Sequence, residues 1–226
     1  MPARPRAAAP RNVLFVGNSF TARNDLPGLI EALTAAGGKP FRHQLVQAGG
    51  ASLRAHWNAG HATKMIEGGG FDAVVLQEQS TLPVKNAARM HDNVRLFDGV
   101  IRAAGAATVL YMTWARRDNP ESQAAITEAY TEIGQELGAT VVPVGTAWAR
   151  LPAVGGRPVL YDRDGSHPTV AGSYLAACVF YGTLLDESPV GNGAPVAGLD
   201  EEDRALLQKT AWEVCRPPGR KGRTKG

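Results

Sequence analysis

The sequence predicts an α/β fold: a three-layer α/β/α sandwich around a central five-stranded parallel sheet. Two observations carry this. Short apolar runs alternate with longer stretches of helical pattern, the signature of parallel strands joined by crossover helices. Several of these runs are continuously apolar rather than alternating, as strands covered on both faces must be. With 226 residues the chain is long enough for one domain with a sizeable core.

The strand candidates are residues 12–16, 42–46, 73–76, 108–112 and 140–144. Pro143 has no N–H to give to a ladder, so the fifth run belongs at an edge of the sheet. Helices are expected between the runs. Residues 26–36 have Pro27 near the start, where a missing N–H costs nothing, and Gly37-Gly38 as a stop. Residues 52–67 run into Gly68-Gly69-Gly70, residues 87–104 follow, and residues 121–137 end before Gly138. Residues 170–185 complete the set that packs on the sheet. Residues 186–198, rich in Gly, Pro and Val, read as a loop, and residues 201–214 as a last helix. The chain therefore divides into a flexible N-terminus (1–11), a main domain (12–185), a C-terminal loop and helix packed on it (186–216) and a disordered basic tail (217–226).

Composition excludes some functions. Hydrophobic residues at 44% and charged residues at 20% fit a soluble globular protein. Much of the basic excess behind the net charge of +3 sits at the ends, in Arg4, Arg6 and Arg11 and again from Arg216 to Lys225. Between them the charges are mixed, which speaks against a nucleic-acid partner. Cys178 and Cys215 lie in no CxxC or Cys/His metal spacing and read as two free thiols rather than a disulfide. No apolar stretch resembles a secretory signal, and none approaches the ~20 residues of a membrane span. A cytoplasmic protein with no membrane partner is expected. The sequence is silent on oligomeric state.

Open parallel sheets hold ligands beyond the carboxyl ends of their strands. The first strand candidate is followed by Gly17-Asn18-Ser19-Phe20-Thr21. Gly17 permits a tight exit, and Ser19 then opens toward the strand ends; the same serine also suits a helix cap. Thr21 stands where the Gly-x-Ser-x-Gly elbow has its second glycine, so that motif is excluded. Far along the chain comes Asp162-Arg163-Asp164-Gly165-Ser166-His167-Pro168. A serine hydroxyl needs a base to take its proton, and the base needs a partner that fixes its tautomer. One short loop can present Asp164 and His167 together, with Asp162 as a competing partner and a surface Asx-turn as the plain alternative.

Together these segments resemble the SGNH (GDSL-like) hydrolase superfamily. The run from Val13 to Thr21 is similar to an uncharacterised branch of it, as are Val74-Val75-Leu76-Gln77-Glu78-Gln79-Ser80 and the passage from His167-Pro168 into Gly172-Ser173-Tyr174. The resemblance covers roughly residues 12–185 and implies a flavodoxin-like sandwich, no metal or other cofactor, and ester hydrolysis through an acyl-enzyme. It maps the nucleophile to Ser19, the base to His167 and the acid to Asp164. It maps the oxyanion hole to the Ser19 N–H, to Gly50 (Gly49 as alternative) and to a side-chain amide after the third strand. Most members have Gly-x-Asn-Asp there, whereas this chain has two glutamines; Gln77 is the first choice and Gln79 the second. Asn18 replaces the usual aspartate before the serine and, with Trp114, is placed in the substrate pocket.

The expected substrate is a carboxylic ester, such as an O-acetyl group on a carbohydrate or another small molecule. A short-chain lipase or thioesterase is the nearest rival, and a non-catalytic binding module the rival of another class. Arg116 and Arg117 follow Trp114 and suit either an anionic substrate or a solvated loop. His43, His56, His61 and His91 show no metal-ligand spacing. Trp57, Trp148 and Trp212 read as packing residues.

Overall fold

All five runs are strands: β1 (Asn12–Gly17), β2 (Arg42–Gln47), β3 (Ala73–Leu76), β4 (Ala107–Tyr111) and β5 (Thr140–Val142). The structure is a computed structural model that describes residues 10–152 and 156–215. Every neighbouring pair is parallel, in the order β2-β1-β3-β4-β5. This is the flavodoxin-type order, whose topological switch point lies between β1 and β3. The direction in which strands are added reverses there, so the connections leaving β1 and β3 diverge to opposite sides and open a crevice.

Side chains alternate across the sheet because a strand has a period of two. Val13, Phe15, Val75, Val109 and Tyr111 enter one core, and Leu14, Val16, Val74, Leu76 and Leu110 enter the other. The first core is closed by α2 (Leu26–Ala36), α8 (Val144–Trp148), α9 (Val170–Leu185) and α10 (Glu201–Cys215). The second is closed by α3 (Leu53–Ala59), α4 (His61–Glu67), α6 (Ala87–Ala103) and α7 (Gln123–Leu137). Two short helices, α1 (Ser19–Ala22) and α5 (Leu82–Lys85), follow β1 and β3 directly.

The helix α9 is buried continuously from Ala171 to Gly182, because α2 and α10 cover what the sheet leaves open. A helix apolar all round needs such enclosure. The residue 186–198 segment is irregular, and Gln208 of α10 pins it by bonds to the Gly191 N–H and the Asn192 carbonyl.

Several expectations need correction. The helix expected over residues 52–67 breaks at Gly60 into α3 and α4. The fifth strand stops at Val142; Pro143 starts α8, so β5 is an edge strand with the proline just outside it. Residues 121–137 begin as a 3₁₀ turn, Pro120–Ser122, before α7. Cys178 and Cys215, by contrast, are free as expected. The N-terminal residues 1–9 and the basic tail lie outside the described residues. Among those described, no helix is long and apolar enough to cross a membrane.

Candidate active site

The turn after β1 is built on a glycine whose place has no room for a side chain unless its neighbours shift. A Cβ at Gly17 would lie 2.5 Å from Thr21 Oγ1 and 2.7 Å from Gln77 Oε1. The chain passes this point and turns at once into α1. Asn18 caps that helix: its side-chain oxygen accepts the Phe20 N–H at 3.0 Å, and its amide donates to the Ala51 carbonyl at 3.0 Å. Its own N–H donates to Gln77 Oε1 at 2.9 Å. Only 3% exposed, Asn18 is thus a brace between the β1 and β2 exits. This corrects its expected place in the substrate pocket, since every polar atom of its side chain is spent inside the turn.

Ser19 stands partly open at the head of α1, and its Oγ lies 2.8 Å from His167 Nε2. The other ring nitrogen, Nδ1, is 2.5 Å from Asp164 Oδ2. A carboxylate can only accept, so the ring proton sits on Nδ1 and Nε2 presents a lone pair to the serine hydroxyl. Asp164 Oδ1 meanwhile accepts the N–H groups of Ser166 and His167, both at 2.9 Å. The bond to His167, followed by these backbone bonds, holds the Asp164 carboxyl well below the usual carboxylate range. Asp162, the competing partner, faces away and pairs with Arg23 at 2.6 Å.

The loop carrying Asp164 and His167 is fastened from several sides. Tyr161 and Pro168 form an antiparallel bridge, and the Asp162 N–H donates to the His167 carbonyl at 2.8 Å. Trp114 Nε1 donates to the Ser166 carbonyl at 3.0 Å, and the Arg117 N–H to the Gly165 carbonyl at 2.9 Å. From the nucleophile side, Asn24 Nδ2 donates to the Pro168 carbonyl at 3.1 Å and to Ser173 Oγ at 2.9 Å. Asn24 and Asp25 both have positive φ, 54° and 50°. Such backbone is costly for residues with side chains and persists where surroundings enforce it.

An aromatic column runs behind the pair. His167 meets the Phe20 edge at a centroid distance of 5.4 Å, Phe20 stacks on Trp114 at 4.8 Å, and Trp114 stacks on Trp148 at 3.8 Å. Trp114 is only 2% exposed, so it is chiefly a pillar between Ser19's neighbour and the base loop, with one edge on a cavity.

The oxyanion side is less evenly served. Gly49 and Gly50 sit exposed in the turn after β2, with Gly50 at φ 65°, a conformation open to glycine. Gln77 is wholly buried: its oxygen accepts the Asn18 N–H and the Thr21 hydroxyl, and its nitrogen donates to the Glu78 carbonyl. It props the turn from below, which corrects its selection as the side-chain donor. Gln79 is half-buried. Its oxygen accepts the N–H groups of Thr81 and Leu82 and the Thr81 hydroxyl, which fixes the carboxamide and leaves its NH2 without a hydrogen bond among the described residues.

Sequence reasoning missed Arg23, Asn24 and His56. The His56 ring donates from Nε2 to the Gly17 carbonyl at 2.8 Å, and burial pushes its pKa down, as suits a neutral donor. His91 donates likewise to the Ala129 carbonyl, while His61 is exposed. Among the described residues no group of three or more metal-ligating side chains gathers.

No family model and no curated protein matches the chain. Solved structures do. A candidate SGNH hydrolase from Slackia heliotrinireducens is 28% identical, with a TM-score of 0.65 over 75% of this chain and 96% of that one. The fold is that of the SGNH hydrolases. A DUF4886 family protein from Bacteroides uniformis shares 21% identity, with a TM-score of 0.72 over 90% and 93% of the two chains. A lipase/acylhydrolase from Enterococcus faecalis shares 18%, with a TM-score of 0.61 over 76% and 93%. The Ser19-His167-Asp164 chain lies beyond the carboxyl end of β1.

Proposed function

We propose that this protein is a serine ester hydrolase working through an acyl-enzyme. The observation that carries the reading is the 2.8 Å contact between Ser19 Oγ and His167 Nε2, groups 148 residues apart in sequence, with Asp164 behind the ring. In this scheme Ser19 Oγ attacks the ester carbonyl while its proton passes to Nε2. The tetrahedral oxyanion is met by the N–H groups of Ser19 and Gly50 and by the Gln79 amide. Donors held where charge develops typically contribute about 3–4 kcal/mol each. His167 then returns the proton to the departing alkoxide, and a water activated by the same base releases the acid.

The substrate we favour is a small acyl group on a polar alcohol, such as an O-acetylated carbohydrate; a cavity lies between the β3 and β4 exits, though neither Ser19 nor His167 lines it. That cavity has a volume of about 350 Å³ and is lined by Ser80, Thr81, Asn119 and Ser122 with Lys85 and Arg116, beside the Trp114 edge. The lining also includes the apolar Val84 and Ile126, so it mixes hydrogen-bonding and apolar surface, and acyl length is decided by assay. The test is hydrolysis of p-nitrophenyl acetate against the decanoate, with Ser19→Ala as control. Acetate should be preferred and Ser19→Ala should fall to background. A preference for decanoate moves the reading to a lipase, and inactivity on every ester to a binding module.

A further inference from the structure

One buried ionisable side chain beside the site takes no part in this scheme. Glu78, in the middle of Gln77-Glu78-Gln79-Ser80, is 0% exposed. Its Oε1 accepts two backbone N–H groups, Leu53 at 3.0 Å and Gln79 at 2.7 Å. Its Oε2 accepts Asn93 Nδ2 at 2.8 Å, and Asn93 Oδ1 in turn accepts Arg54 Nε at 3.0 Å. Burial pushes the carboxyl up, and these hydrogen bonds with the Arg89 charge pull it back. A carboxyl group in the interior is tolerated only with partners of this kind.

What matters is where the two backbone anchors lead. Leu53 opens α3 and ends the loop that carries Gly49 and Gly50, while Gln79 is the first residue past the buried β3 exit. One oxygen atom therefore ties the two walls that supply oxyanion donors from different strands. Asn93 fastens that knot to α6, and Asn18 adds a second tie from the nucleophile turn to the Ala51 carbonyl. We infer that Glu78 is a positioning residue that fixes the Gly50 and Gln79 donors at one separation, so that both reach the same oxyanion. This rests on the hydrolase reading above.

The same geometry supplies the test. Glu78→Gln keeps the shape and can still accept the two backbone N–H groups, but its NH2 then faces the Asn93 NH2. Adding Asn93→Asp restores donor and acceptor in exchanged places and still accepts Arg54. Displacing catalytic groups by about 1 Å costs about 100-fold, and that is the expected fall in kcat on p-nitrophenyl acetate for Glu78→Gln. KM should stay within about threefold, because ground-state binding does not use these donors, and the double variant should recover most of the lost kcat. The rate at which diisopropyl fluorophosphate labels Ser19 should follow kcat. Should Glu78→Gln fail to fold, Asn93→Ala, which frees Oε2 and Arg54 Nε but leaves both bonds to Oε1 in place, gives the same readouts on a smaller scale.

A Glu78→Gln kcat within threefold of wild type overturns the inference while leaving the hydrolase reading intact. So does a double variant that regains thermal stability without regaining kcat. A wild type that neither hydrolyses the ester nor is labelled at Ser19 removes the parent reading, and this inference with it.

Discussion

Asp164→Asn tests the proton path most directly, because the structure dictates what the new amide must do. Asp164 Oδ1 accepts the Ser166 and His167 N–H groups, and the asparagine oxygen can keep both bonds. Its NH2 is then forced into the place of Oδ2, against His167 Nδ1. Nδ1 must now accept, so the ring proton moves to Nε2 and points at Ser19 instead of receiving from it. The electrostatic part of the loss follows from exposure, which is 46% for the Asp164 side chain and 25% for His167. Opposite charges at hydrogen-bond range are worth between ~1 kcal/mol in bulk water and ~4 kcal/mol near a protein surface. About 2 kcal/mol, or about 30-fold in rate, is expected for this half-open pair. Tautomer reversal adds to this, and a fully buried triad loses about 10⁴-fold. The expected fall in kcat/KM is thus roughly 10²- to 10³-fold. Initial rates on p-nitrophenyl acetate, with circular dichroism to confirm an intact fold, measure it. A variant within threefold of wild type would mean that the carboxylate neither sets the tautomer nor steadies the imidazolium.

The same residue gives a pH signature in stability. A depressed folded pKa contributes stability that is present above the unfolded value, about 4, and lost as pH falls through the folded one. The Tm gap between wild type and Asp164→Asn should hold steady from about pH 6 upward and narrow below about pH 4; a gap that widens in acid contradicts the assignment. Gly17→Ala places a methyl group into Thr21 and Gln77, so urea unfolding should show a loss of about 1–3 kcal/mol. Asn24→Ala removes the bonds to Pro168 and Ser173 and leaves a positive φ, and it should cost about 2 kcal/mol with a clear drop in kcat. Arg23→Ala breaks only an exposed ion pair with Asp162 and should change stability by less than about 1 kcal/mol.

Two kinds of information were unequally legible in the sequence. The sheet could be read because its strands are short apolar runs between clear breakers, and burial on both faces leaves that mark. Ser19, Asp164 and His167 were singled out by their resemblance to the SGNH motifs, since residue type and strand-end placement alone left a helix cap and an Asx-turn open; the structure brings the three into hydrogen-bond contact. Between Gln77 and Gln79, whose chemistry is identical, position at the end of the apolar run favoured Gln77, and the structure reverses that order. Only the packing beneath Gly17, where a Cβ has no room, turns one glutamine inward as a prop and leaves the other beside the opening. Asn24 and His56 were hidden for the opposite reason: each acts through a backbone carbonyl far away in sequence, and a carbonyl is present at every residue.

That contrast bears on how the site is held. Ser19 and His167 lie on segments 148 residues apart, yet the hydroxyl and the ring must meet within a few tenths of an ångström. The serine's own segment is fixed by Asn18, Thr21 and Gln77, all buried, and the His167 loop is fixed at its carbonyls by Trp114, Arg117, Asn24 and its own Asp162 N–H. Among these ties, Asn24 spans from one segment to the other through a short side chain in strained backbone whose two bonds are partly shielded, whereas the Arg23–Asp162 pair that does the same is open to water. Loss of alignment should therefore follow loss of Asn24 far more than loss of Arg23. Equal damage from the two substitutions would show that the ion pair, rather than the Asn24 amide, sets the distance between Ser19 and His167.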